Sequence, residues 1–301
     1  MSEKYFGRRG SSFSEKIGRI PSFSYYVVNT QIAFAWGATL FFLDFPFCGW
    51  YYKNIRIRKE LFMLTIQNLT KTYKGSGKGV RNLTISLSAG DIYGFIGHNG
   101  AGKTTTLKCI AGILDFPQGD ILIDGHSVKK DALLCKSMIA YIPDNPDLPE
   151  YLTGIQYLNF ISDIYGLSDA VRTENIKKYA EMFELTDALG DLISSYSHGM
   201  KQKLAIISAQ IRSPRLMLLD EPFVGLDPKA AVILKSLMKE LCDKGGAVFF
   251  STHVLDVAEK LCNKIAVIKD GALVAAGDIG TLTKGDSLEN VFLEILKERV
   301  V

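Results

Sequence analysis

From Met63 onward, apolar residues recur with two different periods. Residues 64–69 and 83–88 run close to a period of two, with Leu64 and Ile66, then Leu83, Ile85 and Leu87, on one side, the pattern of half-buried strands. Residues 92–96, 216–219, 247–250 and 265–268 are short continuous apolar runs, as expected of strands covered on both faces. Residues 120–124 and 138–142 read as further short strands. Between these, residues 103–113 and most of 153–211 follow the helical period, the latter broken near Gly166 and again between Ser194 and Gly199. Buried strands separated by helices predict an α/β fold with a mostly parallel core sheet. The alternating strands predict a small antiparallel β subdomain beside it, and residues 150–212 a helical insertion subdomain.

Composition changes this picture in one place. Over all 301 residues, 47% apolar and 22% charged is an ordinary globular balance, and a net charge of +3 is too small for a dedicated nucleic-acid binder. Five scattered cysteines without a CxxC pair indicate neither a disulfide framework nor a zinc site, which suits a reducing compartment. Residues 1–62, however, hold 9 Lys/Arg against 4 Asp/Glu and 16 of the 32 aromatics, whereas residues 63–301 hold 26 against 28. The shift marks a seam at Met63. It divides an N-terminal extension, 1–62, from a main domain, 63–275, followed by a C-terminal tail helix over 276–301.

The extension keeps three readings open. The favoured expectation is a mis-called start: Lys59-Glu60 is encodable as AAG GAG, a bacterial ribosome-binding sequence at an ordinary distance before Met63. A membrane anchor within residues 25–52 is the second, because the apolar run 32–43 is followed by Trp50, Tyr51, Lys53, Arg56 and Arg58. Against it, the run is 12 residues long, Asp44 and Pro46 interrupt it, and a spanning helix needs about 20. A soluble tail is the third. A cleaved signal peptide does not fit, since the run starts late and no A-x-A site follows.

Two motifs carry chemistry. Gly97-His98-Asn99-Gly100-Ala101-Gly102-Lys103-Thr104 fits G-x-x-x-x-G-K-[ST] between a predicted strand and a predicted helix, with Thr105 next in line. Such a loop turns successive N–H groups inward as an anion nest at a helix N-terminus. Lys103 supplies a charge for the β- and γ-phosphates, and Thr104 a hydroxyl for Mg²⁺. A chance Gly-rich turn would lack the flanking strand and helix. The second motif is a buried strand ending in Asp220-Glu221-Pro222, which sets two carboxylates at the ligand-binding edge of a parallel sheet. Asp220 suits Mg²⁺, and Glu221 suits a general base acting on water.

Taken with four further elements in order, the sequence resembles the ATP-binding-cassette (ABC) ATPases over residues 63–275. Tyr73 stands where the family stacks an aromatic on adenine. Tyr196-Ser197-His198-Gly199-Met200 stands where it has its LSGGQ signature, and Gly225-Leu226-Asp227 matches its D-loop. His253, in Ser251-Thr252-His253, matches its switch histidine. Singly, each piece is weak; only the ordered set is specific. The resemblance implies a P-loop NTPase fold, ATP and Mg²⁺ as ligands, and Lys103, Glu221 and His253 as catalytic residues. It implies Thr104, Asp144 and Asp220 around the metal, with Ser197, Gly199 and Asp227 completing the ATP site of a second ABC ATPase subunit. It also implies a separate polytopic membrane permease as partner and a peripheral place on the cytoplasmic face of the membrane. The amphipathic stretch 286–295 is similar to the closing segment of bacterial drug, bacteriocin and sodium exporters.

Two motifs depart from the family pattern. His198 and Met200 replace a Gly and the Gln of the signature, leaving Ser197 and Gly199 in place. Asp144 stands where the family carries Gln, keeping an oxygen ligand but one methylene shorter and charged. The alternative function is a soluble ABC ATPase acting on nucleic acid or ribosomes. Such proteins carry two cassettes or a coiled-coil insertion, and this chain has neither, so no nucleic-acid partner is expected.

Overall fold

The computed structural model describes residues 24–28, 31–36, 39–43, 62–73, 75 and 77–297. The chain divides into two units, Met1–Lys59 and Glu60–Val301. In the first, β1 (Ser24–Val28), β2 (Gln31–Trp36) and β3 (Thr39–Leu43) pair antiparallel in sequential order. The described part of the apolar run is therefore extended strand, and no described helix is long and apolar enough to cross a membrane. Residues 44–61, which carry the rest of the anchor reading and the Lys59-Glu60 pair, lie outside the described residues.

The second unit holds two sheets. β4 (Phe62–Thr72), β5 (Gly79–Ser88), β7 (Gln118–Ile123) and β8 (His126–Ser127) form an antiparallel sheet in the order β5-β4-β7-β8. The core sheet contains β6 (Ile92–Ile96), β9 (Ile139–Ile142), β10 (Leu216–Asp220), β11 (Ala247–Thr252), β12 (Lys264–Lys269) and β13 (Ala272–Asp278). Its order is β13-β12-β6-β11-β10-β9, with every pairing parallel except that of β12 with β13. Every residue of β10 and β11 is buried, which is why those strands read as unbroken apolar runs. The rings of Phe95 and Phe249 pack with centroids 5.3 Å apart under the central strand pair.

Helices cover this sheet. They are α1 (Lys103–Ile110), α2 (Ala132–Met138), α3 (Gly154–Ile164), α4 (Asp169–Met182), α5 (His198–Gln210), α6 (Pro228–Asp243) and α7 (Leu255–Leu261). The predicted helix 103–113 ends earlier, at Ile110, because the chain turns at Ala111-Gly112. Helix α3 begins at a reciprocal Thr153/Gln156 capping box. Helices α3, α4 and α5 form the insertion. It is tied to the core by Arg212, whose guanidinium stacks 4.2 Å from the Tyr165 ring and donates to the carbonyls of Ile139 and Lys136. Burial pushes the Arg212 pKa below its ordinary value. Past β13 the tail is two helices, α8 (Ile279–Thr283) and α9 (Leu288–Lys297), in place of the single one expected.

Candidate functional site

Register sets the site. Asp220 of β10 pairs with Ser251 of β11, and Thr252 pairs with Ile96 of β6, so three parallel strands end together. Gly97, Glu221 and His253 follow them directly and share one edge of the sheet. Gly102 forms the N-cap of α1, and Lys103 opens that helix almost fully buried. Its Nζ donates to the Gly97 carbonyl at 2.6 Å and lies 3.2 Å from Glu221 Oε1. On the other side of that oxygen, His253 Nδ1 stands at 3.0 Å. Glu221 Oε1 is buried without a well-directed hydrogen bond, between the Lys103 ammonium and the His253 imidazole. Glu221 has a left-handed backbone, φ 46°, held by its N–H donating to the Ser251 carbonyl at 3.2 Å and to Ser251 Oγ at 3.1 Å. The same hydroxyl donates to Asp220 Oδ1 at 2.5 Å.

A cleft of about 380 Å³ opens over this edge. Asn99, Gly100, Gly102, Lys103, Thr104 and Thr105 line its floor, Asp144, Asp220 and Glu221 one wall, and Tyr73 the opposite rim. Tyr73 is held by its hydroxyl against Thr105 Oγ1 at 3.4 Å, with Lys71 Nζ 5.8 Å from its ring centroid. The first N–H groups of α1 have no partner within the helix and face this cleft. These donors and Lys103 fit a polyphosphate, and the aromatic rim fits a planar base.

The acidic wall fits a hard cation. Partial burial, then the charges of Asp220 and Glu221, raise the Asp144 pKa, while His198 and His253 pull it the other way. A cation among these oxygens would remove that repulsion. No cluster of three metal-ligating side chains exists among the described residues, so such an ion would complete its shell with phosphate and water.

The remaining sequence-predicted residues fall outside this cleft. Gly97, His98 and His253, with Asn99 and Phe292 of α9, line an adjoining cleft of about 330 Å³. His98 Nε2 lies 3.4 Å from Asp270 Oδ1. Ala101 sits buried under the loop. Ser197 caps α5, accepting from the Met200 N–H at 3.3 Å, and Gly199 follows in the first turn. Asp227 caps α6 through the Ala230 N–H at 2.8 Å and pairs with Lys203 at 2.6 Å, an ion pair that holds its carboxyl below the usual range. The reading of the sequence missed Lys78 and Gly79 on the cleft rim, Ser251 beneath Asp220 and Glu221, and Phe292. Only Ser251 had a signal, in its place ahead of His253.

Comparison with known proteins agrees with the geometry. A family described as ABC transporter matches residues 80–224. The chain is similar to the ABC-type transporter ATP-binding protein EcsA of Bacillus subtilis, 34% identical over 241 residues, covering 78% of this chain and 97% of that protein. It is similar to the linearmycin resistance ATP-binding protein LnrL of the same species, 31% identical over 229 residues, covering 75% and 73%. A solved ATP binding subunit of an ABC transporter matches with a TM-score of 0.74 at 32% identity, covering 78% of this chain and 99% of that one.

Proposed function

The chain belongs to the ABC transporter ATP-binding proteins, an ATPase family, and we propose that it is the engine of an exporter, pairing around two ATP to drive a separate membrane permease. One observation carries the pairing. Lys103, Thr104, Asp220, Glu221 and Tyr73 line one cleft, while Ser197, Gly199 and Asp227 stand outside it at other helix ends. The residues thus form two halves of a site that a second cassette would join. Export rests on the similarity to a resistance protein and on the amphipathic tail. The permease places the cassette at the cytoplasmic face of the membrane. A soluble role on nucleic acid is disfavoured because residues 63–301 carry no basic excess, with 26 Lys/Arg against 28 Asp/Glu.

The chain's own residues account for the chemistry. Lys103, now folded onto the Gly97 carbonyl and Glu221, turns to the β- and γ-phosphates when ATP enters. Glu221 loses its ammonium neighbour and becomes free to take a proton from the attacking water. His253 stays within reach of the same oxygen and aligns the γ-phosphate. Mg²⁺, held by Thr104 and Asp220 and faced by Asp144, would offset the phosphate charge. Opening the pair after hydrolysis moves the permease.

Glu221→Gln tests this reading. It keeps the shape and an oxygen but not the base, so equilibrium ATP binding persists while phosphate release slows by about 10²-fold or more. Unchanged turnover removes Glu221 from the role. Affinity capture from membranes should recover a polytopic membrane protein, and recovery of ribosomes or nucleic acid in its place would favour the rival.

A further inference from the structure

His198 is the bulkiest departure in the signature, and its ring has a definite seat. Its Cδ2–Nε2 edge is set against Gly225: a Cβ built on that residue would come within 2.4 Å of His198 Cδ2 and 2.8 Å of Nε2. Gly225 also has φ +79°, so its small size and its backbone are both required there. The next residue of the helix is equally close, since a Cβ on Gly199 would come within 2.9 Å of the Gly225 carbonyl. One turn further along α5, Lys203 Nζ meets Asp227 Oδ2 at 2.6 Å. The side chains of His198 and Lys203, with the close backbone approach at Gly199, therefore seat the first turns of α5 on the turn Gly225-Leu226-Asp227.

That turn is the short continuation of the catalytic strand. Glu221 accepts at its carbonyl from the Val224 N–H at 3.2 Å, and Phe223 packs edge-on against Phe250 with centroids 6.2 Å apart. A displacement of Gly225 is thus passed over four residues to the left-handed Glu221, and over two to Asp227. We propose that His198 is a positioning residue: its ring wedges the 225–227 turn against the start of α5, so that the ATP-closing helix end and the turn move as one body. This rests on the two-cassette reading. The ring acts through Gly225 by volume and not by proton transfer.

The test measures steady-state ATP hydrolysis of the full chain with Mg²⁺-ATP, separating kcat from KM. His198→Gly, which removes the ring from the turn and uncovers it to solvent, is expected to lower kcat by about tenfold, the effect of a misplaced catalytic group, with KM within about twofold because the phosphate loop is untouched. His198→Phe restores the ring and recovers at least about a third of kcat. In an Asp227→Asn background, His198→Gly adds little, because both act through the same turn. His198→Ala, a better helix former, gives the same kcat loss if the glycine variant folds poorly.

Equal losses in the phenylalanine and glycine variants would overturn the wedge, as would an unchanged kcat in the glycine variant. A raised KM at constant kcat would overturn it too, since His198 would then be a nucleotide contact. Wild-type protein that fails to hydrolyse ATP at any concentration would instead defeat the underlying reading. An active wild type with an indifferent His198 defeats the wedge alone.

Discussion

Asp144 concentrates the electrostatic problem of the cleft in one side chain. Its carboxyl sits near Asp220 and Glu221, and partial burial followed by those two charges raises its pKa above 3.8. A carboxyl whose pKa is raised in the folded state holds its proton more tightly there than in the unfolded chain. Its contribution to stability is therefore favourable only below the folded value and is lost as pH rises through it. At pH 7 the charged Asp144 costs stability, by an amount reduced by its exposure to water. Asp144→Asn should accordingly raise the melting temperature of nucleotide-free protein at pH 7 by about 1–2 °C, with the gain shrinking as pH is lowered toward 4. The same variant should gain less from Mg²⁺-ATP than the wild type, because it offers one negative ligand fewer. A lower melting temperature for the variant at pH 7 would show that Asp144 is not repelled. Calorimetry with and without Mg²⁺-ATP measures both effects.

Two hairpins use the same dipeptide for different ends. Asp124-Gly125 joins β7 to β8, and Asp270-Gly271 joins β12 to β13, each with both residues at positive φ. Around Gly125 a Cβ would meet nothing, whereas at Gly271 it would lie 2.2 Å from the Gly79 carbonyl. Gly271 also donates to the Ala101 carbonyl at 3.0 Å and accepts from the Arg81 N–H at 2.7 Å, which pins the antiparallel sheet to the phosphate loop. Gly125→Ala should cost about 1 kcal/mol of backbone strain alone. Gly271→Ala should cost about 2–4 kcal/mol, strain plus backbone overlap, and lower the melting temperature by roughly 5–10 °C. Equal losses at the two turns would mean that the close approach at Gly271 carries no energy.

These hairpins also mark where reading the sequence stops. The central strands were legible because both their faces are buried, and the phosphate loop because strand, loop and helix are contiguous. Strand β13 was not, since none of its residues is fully buried and its apolar stretch 272–276 shows no alternation. Residues 32–43 are apolar throughout, and an apolar run of that length does not distinguish a helix from paired strands. The contacts of Glu221 with Lys103 and His253, and of His198 with Gly225, depend on strand register and helix seating, which no local pattern encodes.

At the scale of the whole molecule, the proposed half-sites govern how the protein should associate. A ligand that binds only the joined halves stabilises the pair by mass action, so association should depend on ATP rather than on a preformed interface. In the proposed pair of two copies of this chain, a two-fold axis would relate the two clefts, and each would take its Lys103 from one copy and its Ser197 from the other. This can be tested by mixing two dead proteins. Lys103→Ala lacks phosphate binding in its cleft, and Ser197→Arg blocks the helix end that closes over the partner's cleft. Alone, each yields pairs with no complete site. Mixed in equal amounts, half of the pairs combine the two chains, and each such pair has one cleft with both Lys103 and Ser197 intact. Hydrolysis should then return to at most roughly a quarter of the wild-type rate, the statistical limit for a symmetric pair. Full activity in Ser197→Arg alone would show that one chain completes its own site. Silence in the mixture, with sedimentation showing that mixed pairs form in ATP, would show that both sites must be intact before either can act.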